Sequence, residues 1–374
     1  MLKNLKSLIR GSYYPLNLVT ISKINLTSNY KYLSSLNKKI KIAPVLKSNA
    51  YGHGIVNVAK ILEPLNPSMF CVDSLYEAYE LSKAGIKTQI LIMGYINSGN
   101  LKIKHLPFSY TVFDLNFAKE LNKYQPGAKV HIKVDTGMNR LGVQTKDLSA
   151  FLDEIKKLKN INVVGLMSHL ASANTSKAQT NSQIQYFKDA RKLVSQKSFK
   201  PKWLHIAASD GLLSINKKVL SAVSNLARVG IALYGADGYG KTTPVLKLTS
   251  KVVQIKNVQK SEKIGYDGTY QAKSNMTIGM LPIGYNDGLD RRLSNKGYVI
   301  HKGKECKILG RISMNITAID LTQAKNPQLE DEVTIFSNKT NDRNSFENAA
   351  KTCGTIPHDL LIHLHPTALR REIV

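Results

Sequence analysis

Hydrophobic residues recur along this chain as short apolar runs that alternate with longer amphipathic segments, from about residue 40 to residue 235. Continuous apolar runs are typical of parallel strands that are buried on both faces. In Thr145–Lys159 the apolar residues fall at helical spacing, and Ser74–Ala84 shows the same pattern. The eight runs are Ile40–Leu46, Met69–Val72, Gln89–Met93, Tyr110–Phe113, Val130–Val134, Val163–Met167, Trp203–Ala207 and Asn225–Tyr234. Eight strand-then-helix units predict a closed, parallel (β/α)8 barrel of the TIM type.

The pattern changes after about Lys241, where strand-like runs separated by Gly, Asn and Lys turns replace the alternation. The runs are Leu246–Ile255, Met276–Leu281, Tyr298–His301, Lys307–Leu309 and Glu332–Phe336. A helical pattern returns at Ser345–Lys351. The sequence therefore predicts a barrel domain over residues 12–241 and a mainly-β domain over residues 242–374.

Polar side chains follow several of the barrel runs, and these are Lys47, Arg140, His169, Ser209 and Arg228. Active sites of this barrel lie at the carboxyl ends of its strands, and phosphate groups bind near strands seven and eight. We therefore expect the five side chains to meet at one rim of the barrel.

Composition narrows the class of protein. Hydrophobic residues make up 43% of the 374 residues, which indicates a globular chain. No run approaches the roughly 18 apolar residues of a membrane span, so we expect no membrane partner. The formal charge of +27 allows a nucleic-acid partner. Because the lysines are scattered through amphipathic segments, we interpret the charge as dispersed and expect no nucleic acid.

The three cysteines, Cys71, Cys306 and Cys353, are far apart and have no metal-binding spacing. We therefore expect no metal site. Unpaired cysteines suit a reducing compartment, and the strand-like residues that begin soon after Arg10 leave no room for a removable presequence. The sequence predicts a cytoplasmic protein.

The first strand-end residue, Lys47, carries the most specific signal. A lysine at the end of a buried strand loses hydration, and Schiff-base formation is a use that fits this position. Taken alone, a surface lysine at a strand exit is the commoner case. The whole string Pro44–Gly54, which reads Pro-Val-Leu-Lys-Ser-Asn-Ala-Tyr-Gly-His-Gly, resembles the pyridoxal 5′-phosphate (PLP) lysine motif of the alanine racemases.

A second block, Lys133–Gly142, is also similar to that family. The resemblance implies that Arg140 contacts the cofactor phenolate and the substrate carboxylate, a task that suits its planar fork. It also implies that Lys133 matches a lysine that is carbamylated in some members. Unmodified, the Lys133 ammonium would repel Arg140 at close range.

The resemblance implies a set of cofactor-binding residues: Lys47, Tyr51, His169, Ser209, Arg228, Gly230 and Ile231. Lys47 would form the Schiff base and serve as the base on one face of the substrate Cα. The Tyr51 and Ser209 hydroxyls, with the N–H groups of Gly230 and Ile231, would hold the phosphate. On sequence alone Tyr51 reads equally well as a core tyrosine.

The resemblance implies that two residues contact the cofactor ring. His169 would stack beside it, although a lone histidine at a strand end is more often structural. Arg228, linked to His205, would face the pyridine nitrogen. Because arginine does not give up its proton, the ring would be a weaker electron sink than it is with a carboxylate partner. That choice favours racemisation over transamination.

In the second predicted domain, Gly265–Tyr270 resembles the segment that carries the opposing base, here Tyr266. A two-base racemase needs one proton acceptor on each face of Cα. The resemblance implies that Tyr266 enters the active site of the other subunit, so that a homodimer is required.

Two more segments of that domain are similar to the family. Tyr285 would narrow the substrate entrance, and the Met314 backbone would contact the substrate carboxylate. Members commonly have Cys-Met-Asp where this chain has Ser313-Met314-Asn315. Residues 364–367 read Leu-His-Pro-Thr and offer no phosphate-binding tyrosine.

The resemblance covers roughly residues 12–371, and in that family about residues 1–11 would join the second domain. It implies a PLP-dependent alanine racemase that supplies D-alanine for peptidoglycan. Three alternatives stay open at this point: a racemase that also accepts serine, a non-catalytic PLP-binding barrel, and a barrel-type decarboxylase of basic amino acids. The last would need a carboxylate, not Arg228, at the pyridine nitrogen.

Overall fold

The computed structural model describes residues 14–374, which divide into two units. One unit is Ile24–Thr242, and the other joins residues 14–23 to Thr243–Val374. The expectation that about residues 1–11 belong to the second domain lies outside the described residues.

The strands are β1 (Leu18–Ile21), β2 (Lys41–Pro44), β3 (Phe70–Val72), β4 (Ile90–Ile92), β5 (Ser109–Val112), β6 (Ala128–Asp135), β7 (Val143–Gln144), β8 (Ile161–Met167), β9 (Trp203–His205), β10 (Leu226–Val229), β11 (Leu246–Lys251), β12 (Gln254–Val258), β13 (Lys263–Ile264), β14 (Tyr270–Gln271), β15 (Met276–Leu281), β16 (Tyr298–His301), β17 (Lys304–Leu309), β18 (Thr317–Asp320), β19 (Glu332–Phe336) and β20 (Arg370–Ile373). The longer helices are Lys23–Ser35, Ile55–Leu62, Leu75–Lys83, Leu115–Tyr124, Leu148–Lys157, Lys177–Gln196, Ser209–Ser214, Lys217–Val223, Phe346–Cys353 and Pro357–Ile362.

The first unit is the predicted barrel. Strands β3, β4, β5, β6, β8 and β9 pair in that order and in parallel, and β10 pairs in parallel with β2. A parallel bridge between Val45 and Cys71 joins β2 to β3. The Arg228 N–H donates to the Ala207 carbonyl at 3.0 Å and joins β10 to β9. The eight strands therefore close on themselves, and the predicted TIM-like barrel is confirmed.

The barrel strands are buried because they are apolar on both faces. The side chains of β3 and β4, for example, are almost fully buried. One predicted run ends earlier than expected: β10 stops at Val229, and Ile231–Tyr234 forms a 3-10 turn. The chain turns there at Gly230, whose backbone leaves the extended conformation.

The second unit is mainly β, as predicted. Its nine-stranded sheet has the order β12-β15-β18-β17-β16-β19-β11-β1-β20. The run Leu246–Ile255 is two strands, β11 and β12, that lie far apart in this order. Strand β1 pairs antiparallel with β11 and parallel with β20, whereas the expected domain boundary put Leu18–Ile21 in the barrel. Its alternating burial fits a sheet with one covered face.

Within residues 14–374, none of the helices combines the length and the apolar character that a bilayer crossing demands.

Candidate active site

Lys47 lies a few residues beyond the end of the first barrel strand, β2, and an unusual turn follows it. Ser48, Asn49, Ala50 and Tyr51 all have φ between 52° and 54°, which is the left-handed region. Left-handed backbone costs a non-glycine residue about 1–2 kcal/mol. A run of four therefore persists only where surrounding contacts hold it. The Ala50 N–H donates to the Leu46 carbonyl at 2.8 Å, which starts the turn.

Tyr51 ends this turn and lies against the segment that follows β10. Its ring centroid is 5.1 Å from that of Tyr234. A Cβ added to Gly230 would come within 2.3 Å of the Tyr51 hydroxyl oxygen, so only glycine fits there. Burial raises the pKa of Tyr51 to about 12, which keeps the hydroxyl protonated as a hydrogen-bond donor.

The residues around Gly230 form a cradle of donors. The buried Ser209 hydroxyl accepts a hydrogen bond from the Ala232 N–H at 3.2 Å. Among the described residues, neither the Gly230 nor the Ile231 N–H meets an acceptor at hydrogen-bond distance. Buried N–H groups are nearly always paired. With the Tyr51 hydroxyl, the cradle fits the phosphate of PLP.

Arg228 is buried, at 3% exposure, and histidines surround it. One guanidinium nitrogen lies 2.7 Å from His205 Nδ1, and the other lies 3.1 Å from His169 Nδ1. Because a guanidinium only donates, both Nδ1 atoms accept, and we assign each proton to Nε2. His205 Nε2 then donates to His131 Nδ1 at 2.8 Å.

All three histidines are neutral. Burial lowers the pKa of His131 to about 3 and that of His205 well below the ordinary value. Burial also lowers the pKa of His169 to about 3. Further lowering of the His169 pKa comes from the charges of Arg228, Arg140, Lys133 and Lys47. Arg228 and His169, which stand at the ends of two different barrel strands, therefore meet at one rim.

Lys133 lies on β6 and is 7% exposed. Burial lowers its pKa to about 8, and the charges of Arg228 and Arg140 act in the same direction. Asp73 and Asp135 oppose the shift. About a tenth of this amine is therefore uncharged at pH 7, far more than for a lysine with an ordinary pKa.

Arg140 is exposed at the end of a short loop that Asp135 shapes. One Asp135 oxygen accepts the N–H groups of Gly137 and Met138 at 2.9 Å and of Asn139 at 3.1 Å. An added Cβ at Gly142 would lie 2.5 Å from the Asp135 nitrogen. The loop therefore has little freedom to change.

The other predicted residues belong to the β-rich unit and are exposed there. Tyr266 is 68% exposed, Tyr285 44% and Met314 55%. The Tyr285 N–H donates to the Ser313 carbonyl at 3.1 Å, which ties the two loops together. Among the described residues, the Met314 N–H donates no hydrogen bond.

Sequence reasoning missed His131 and Asp135 as parts of the site. His131 is a polar residue within an apolar strand, and Gly165 on the next strand leaves room for it, since an added Cβ there would lie 2.0 Å from its Nδ1. A histidine within an apolar run was the signal available in the sequence. Asp135 followed by Thr136 and Gly137 is a loop-forming sequence.

The comparisons with known proteins agree with this architecture. A family model for the alanine racemase N-terminal domain matches residues 21–238, and one for the C-terminal domain matches residues 245–372. An alanine racemase of Syntrophobacter fumaroxidans is 35% identical over 332 residues, which are 86% of this chain and 87% of that protein. Alanine racemase 1 of Caldanaerobacter subterraneus is 35% identical over 350 residues, 90% of this chain and 89% of that protein.

Among solved structures, an alanine racemase of Clostridium difficile 630 superposes with a TM-score of 0.88 at 28% identity, covering 97% of both chains. An alanine racemase of Bacillus anthracis with bound L-Ala-P has a TM-score of 0.87 at 27% identity, covering 97% of this chain and 96% of that one. These matches define the class as a PLP-dependent amino-acid racemase, an isomerase. More particularly, the chain belongs to the alanine racemase family.

Proposed function

We propose that this protein interconverts L- and D-alanine by a two-base mechanism, with Lys47 and Tyr266 as the bases. The single observation that carries the proposal is the buried Arg228, donating to two neutral histidines at the rim where Lys47 emerges. A decarboxylase would need a carboxylate in that place.

The cofactor is proposed from the fit of the residues. The hydroxyls of Tyr51 and Ser209 and the N–H groups of Gly230 and Ile231 would bind the phosphate. PLP, when bound, supplies an electron sink that makes the Cα proton of an amino acid removable. Arg228, held by His205, would face the pyridine nitrogen as a fixed donor, and His169 would lie beside the ring.

The chain's own groups would then move the proton. Lys47 would remove or return it on one face of Cα, and Tyr266 on the other. Arg140 and the Met314 N–H would hold the substrate carboxylate, which fixes the face that each base meets. Tyr285 and Met314 would restrict the side chain to a small one.

Tyr266 would come from a second subunit. In the β-rich unit Tyr266, Tyr285, Met314 and Ile316 are all more than two-fifths exposed. Large apolar side chains grouped on one unit often mark an interface. A homodimer in which each subunit lends its Tyr266 to the other would cover them.

Lys133 is a proposed carbamylation site. Its pKa of about 8 leaves the amine free to attack CO2, and the nitrogen loses one proton as the N–C bond forms. The product carries one negative charge beside Arg140 and Arg228, in place of a repelling cation. Asp73 and Asp135, which attract the ammonium, would repel the carbamate, so the two arginines would be its counter-charges.

The physiological role follows from the reaction. A D-alanine supply for bacterial peptidoglycan is the proposed use. The described thiols Cys71, Cys306 and Cys353 are free and buried, which supports a cytoplasmic location.

The test is exchange of L-alanine in D₂O with the purified protein, following optical rotation and deuterium at Cα. We expect the rotation to decay to zero with deuterium incorporated, and Lys47→Ala and Tyr266→Phe to lose this activity. Exchange with retained configuration would show that one face alone is served and that Tyr266 is not a base. L-Serine under the same conditions measures substrate breadth, since one small group discriminates only about 10–200-fold.

A further inference from the structure

Glu77 lies on the helix that follows barrel strand β3, and its two carboxylate oxygens accept hydrogen bonds from different parts of the chain. Oε2 accepts the N–H groups of Asp73 at 2.9 Å and Ser74 at 3.3 Å. The Ser74 hydroxyl accepts the Glu77 N–H at 3.2 Å, which completes a capping box. The second oxygen, Oε1, has no part in this cap. It accepts the N–H of Ser48 at 2.5 Å.

Ser48 is the residue after Lys47 and the first of the four left-handed residues. Two other side-chain hydrogen bonds at the turn are local. Asn49 Oδ1 accepts the Ile55 N–H at 2.9 Å, and His53 Nδ1 lies 3.0 Å from the Ala50 carbonyl. Glu77 comes from the next strand-helix unit, 29 residues along the chain. It therefore fastens the turn to a neighbouring part of the barrel.

We infer that Glu77 is a positioning residue for the active site. By holding the Ser48 N–H, it keeps the left-handed turn in the form that sets Lys47 at one end and Tyr51 at the other. The charge on Glu77 strengthens this bond, because an ionised acceptor binds N–H groups more tightly than a neutral one. The inference rests on the proposed roles of Lys47 and Tyr51.

The competing explanation is that Glu77 only starts its own helix. Three substitutions in the full-length protein separate the explanations. Ser74→Ala removes the capping hydroxyl and leaves the Glu77 carboxylate on Ser48. Glu77→Ala removes both contacts. Glu77→Gln keeps one acceptor oxygen but turns an NH₂ group toward donors on the other side, so it retains only part of the arrangement.

Two measurements read out the turn, and neither is catalytic activity. Amide hydrogen exchange followed by mass spectrometry reports on a peptide covering residues 47–54 and on one covering residues 73–83. Titration of the cofactor-free protein with PLP, followed by visible absorbance, gives the cofactor affinity. In Glu77→Ala we expect exchange in residues 47–54 to rise, and PLP affinity to fall, by about tenfold or more.

Ser74→Ala should change exchange in residues 73–83 while leaving both turn readouts within about twofold of the wild type. Glu77→Gln should fall between the wild type and Glu77→Ala. The inference is overturned if Glu77→Ala alters only residues 73–83, or if Ser74→Ala reproduces its effect on PLP affinity. Should Glu77→Ala not fold, Glu77→Gln against Ser74→Ala decides on the same criteria.

The proposed function can fail separately. If the wild type binds PLP but borohydride reduction attaches no cofactor to Lys47, the proposed role of Lys47 is wrong. The exchange comparison would still show whether Glu77 holds the turn.

Discussion

The barrel and the β-rich unit hold their parts of the proposed site in opposite ways. In the barrel, Arg228 and Lys133 are 3% and 7% exposed, and the arginine is held by His205 on the neighbouring strand β9 and by His169 just after β8. In the β-rich unit, Tyr266 and Met314 are 68% and 55% exposed. Asp267, the residue after Tyr266, forms an ion pair with Arg311 at the surface.

The two units differ in how much of the proposed site each one forms by itself. Closure of the barrel buries Arg228 and Lys133 and removes water from them, so their geometry is fixed before any ligand binds. The β-rich unit presents its tyrosine on a short 3-10 turn, Tyr266–Gly268, with little covering it. An exposed side chain of this kind can take part in catalysis only when a second protein surface packs against it.

The largest effect that we expect comes from mixing two inactive variants. If Lys47 and Tyr266 of one site come from different subunits, a co-expressed mixture of Lys47→Ala and Tyr266→Phe should recover about one quarter of wild-type activity. Half of randomly formed dimers are mixed, and each mixed dimer has one intact site of two. The measurement is alanine racemisation by the purified mixture.

The control mixes Lys47→Ala with the double variant, which should stay inactive because no subunit then carries Lys47. Absence of recovery in the first mixture, with mixed dimers shown by mass spectrometry, would place both residues in the same subunit.

The next effect concerns stability. Arg228→Leu should lower the free energy of unfolding by about 3–5 kcal/mol, because it leaves the buried acceptors of His205 and His169 without a donor. Arg311→Leu, which breaks the surface pair with Asp267, should cost at most about 1 kcal/mol. Urea denaturation followed by circular dichroism measures both. Equal losses would show that burial does not distinguish the two arginines.

The smallest effect is pH dependence. The folded-state pKa values of His131 and His169, about 3, lie below the ordinary value of about 6.5. The unfolded chain therefore binds more protons between pH 3 and 6.5. Stability should be complete above about pH 6.5 and should fall as the pH drops through that window. From pH 7.5 to 6 the loss should be about 1 kcal/mol for each buried histidine.

The β-rich unit should respond at lower pH. Burial alone would raise the pKa of Asp331, but hydrogen bonds from Lys302, Gln328 and His301 lower it to about 2. Its contribution is present above about pH 4 and is lost below that. Urea midpoints measured across pH check both windows. His131→Asn should reduce the slope above pH 4.

The barrel was predictable because its strands are buried on both faces and carry a strong, local signal. The runs are largely apolar, Met69–Val72 over its whole length, and the strand-end residues follow from parallel order alone. The partners of β1 were not predictable in this way. Leu18–Ile21 pairs with strands that begin at Leu246 and Arg370, and no local pattern encodes pairing at such a distance.

The left-handed turn was also missed, for a physical reason. Of Ser48, Asn49, Ala50 and Tyr51, only asparagine favours left-handed backbone. The conformation is imposed by contacts that form only when the chain folds, among them the hydrogen bond from the Ser48 N–H to Glu77. The position of His131 was missed for the same reason, because it depends on the space left by Gly165 on the neighbouring strand β8.

The position of β1 between β11 and β20 sets an order of events during synthesis. Ribosomes add roughly 5–20 residues per second, so β11 emerges on the order of ten to fifty seconds after β1. Until then Leu18–Ile21 has neither of its strand partners, and an unpaired strand readily joins another chain. The barrel is made during this interval, and the first strand of the sheet must wait for it.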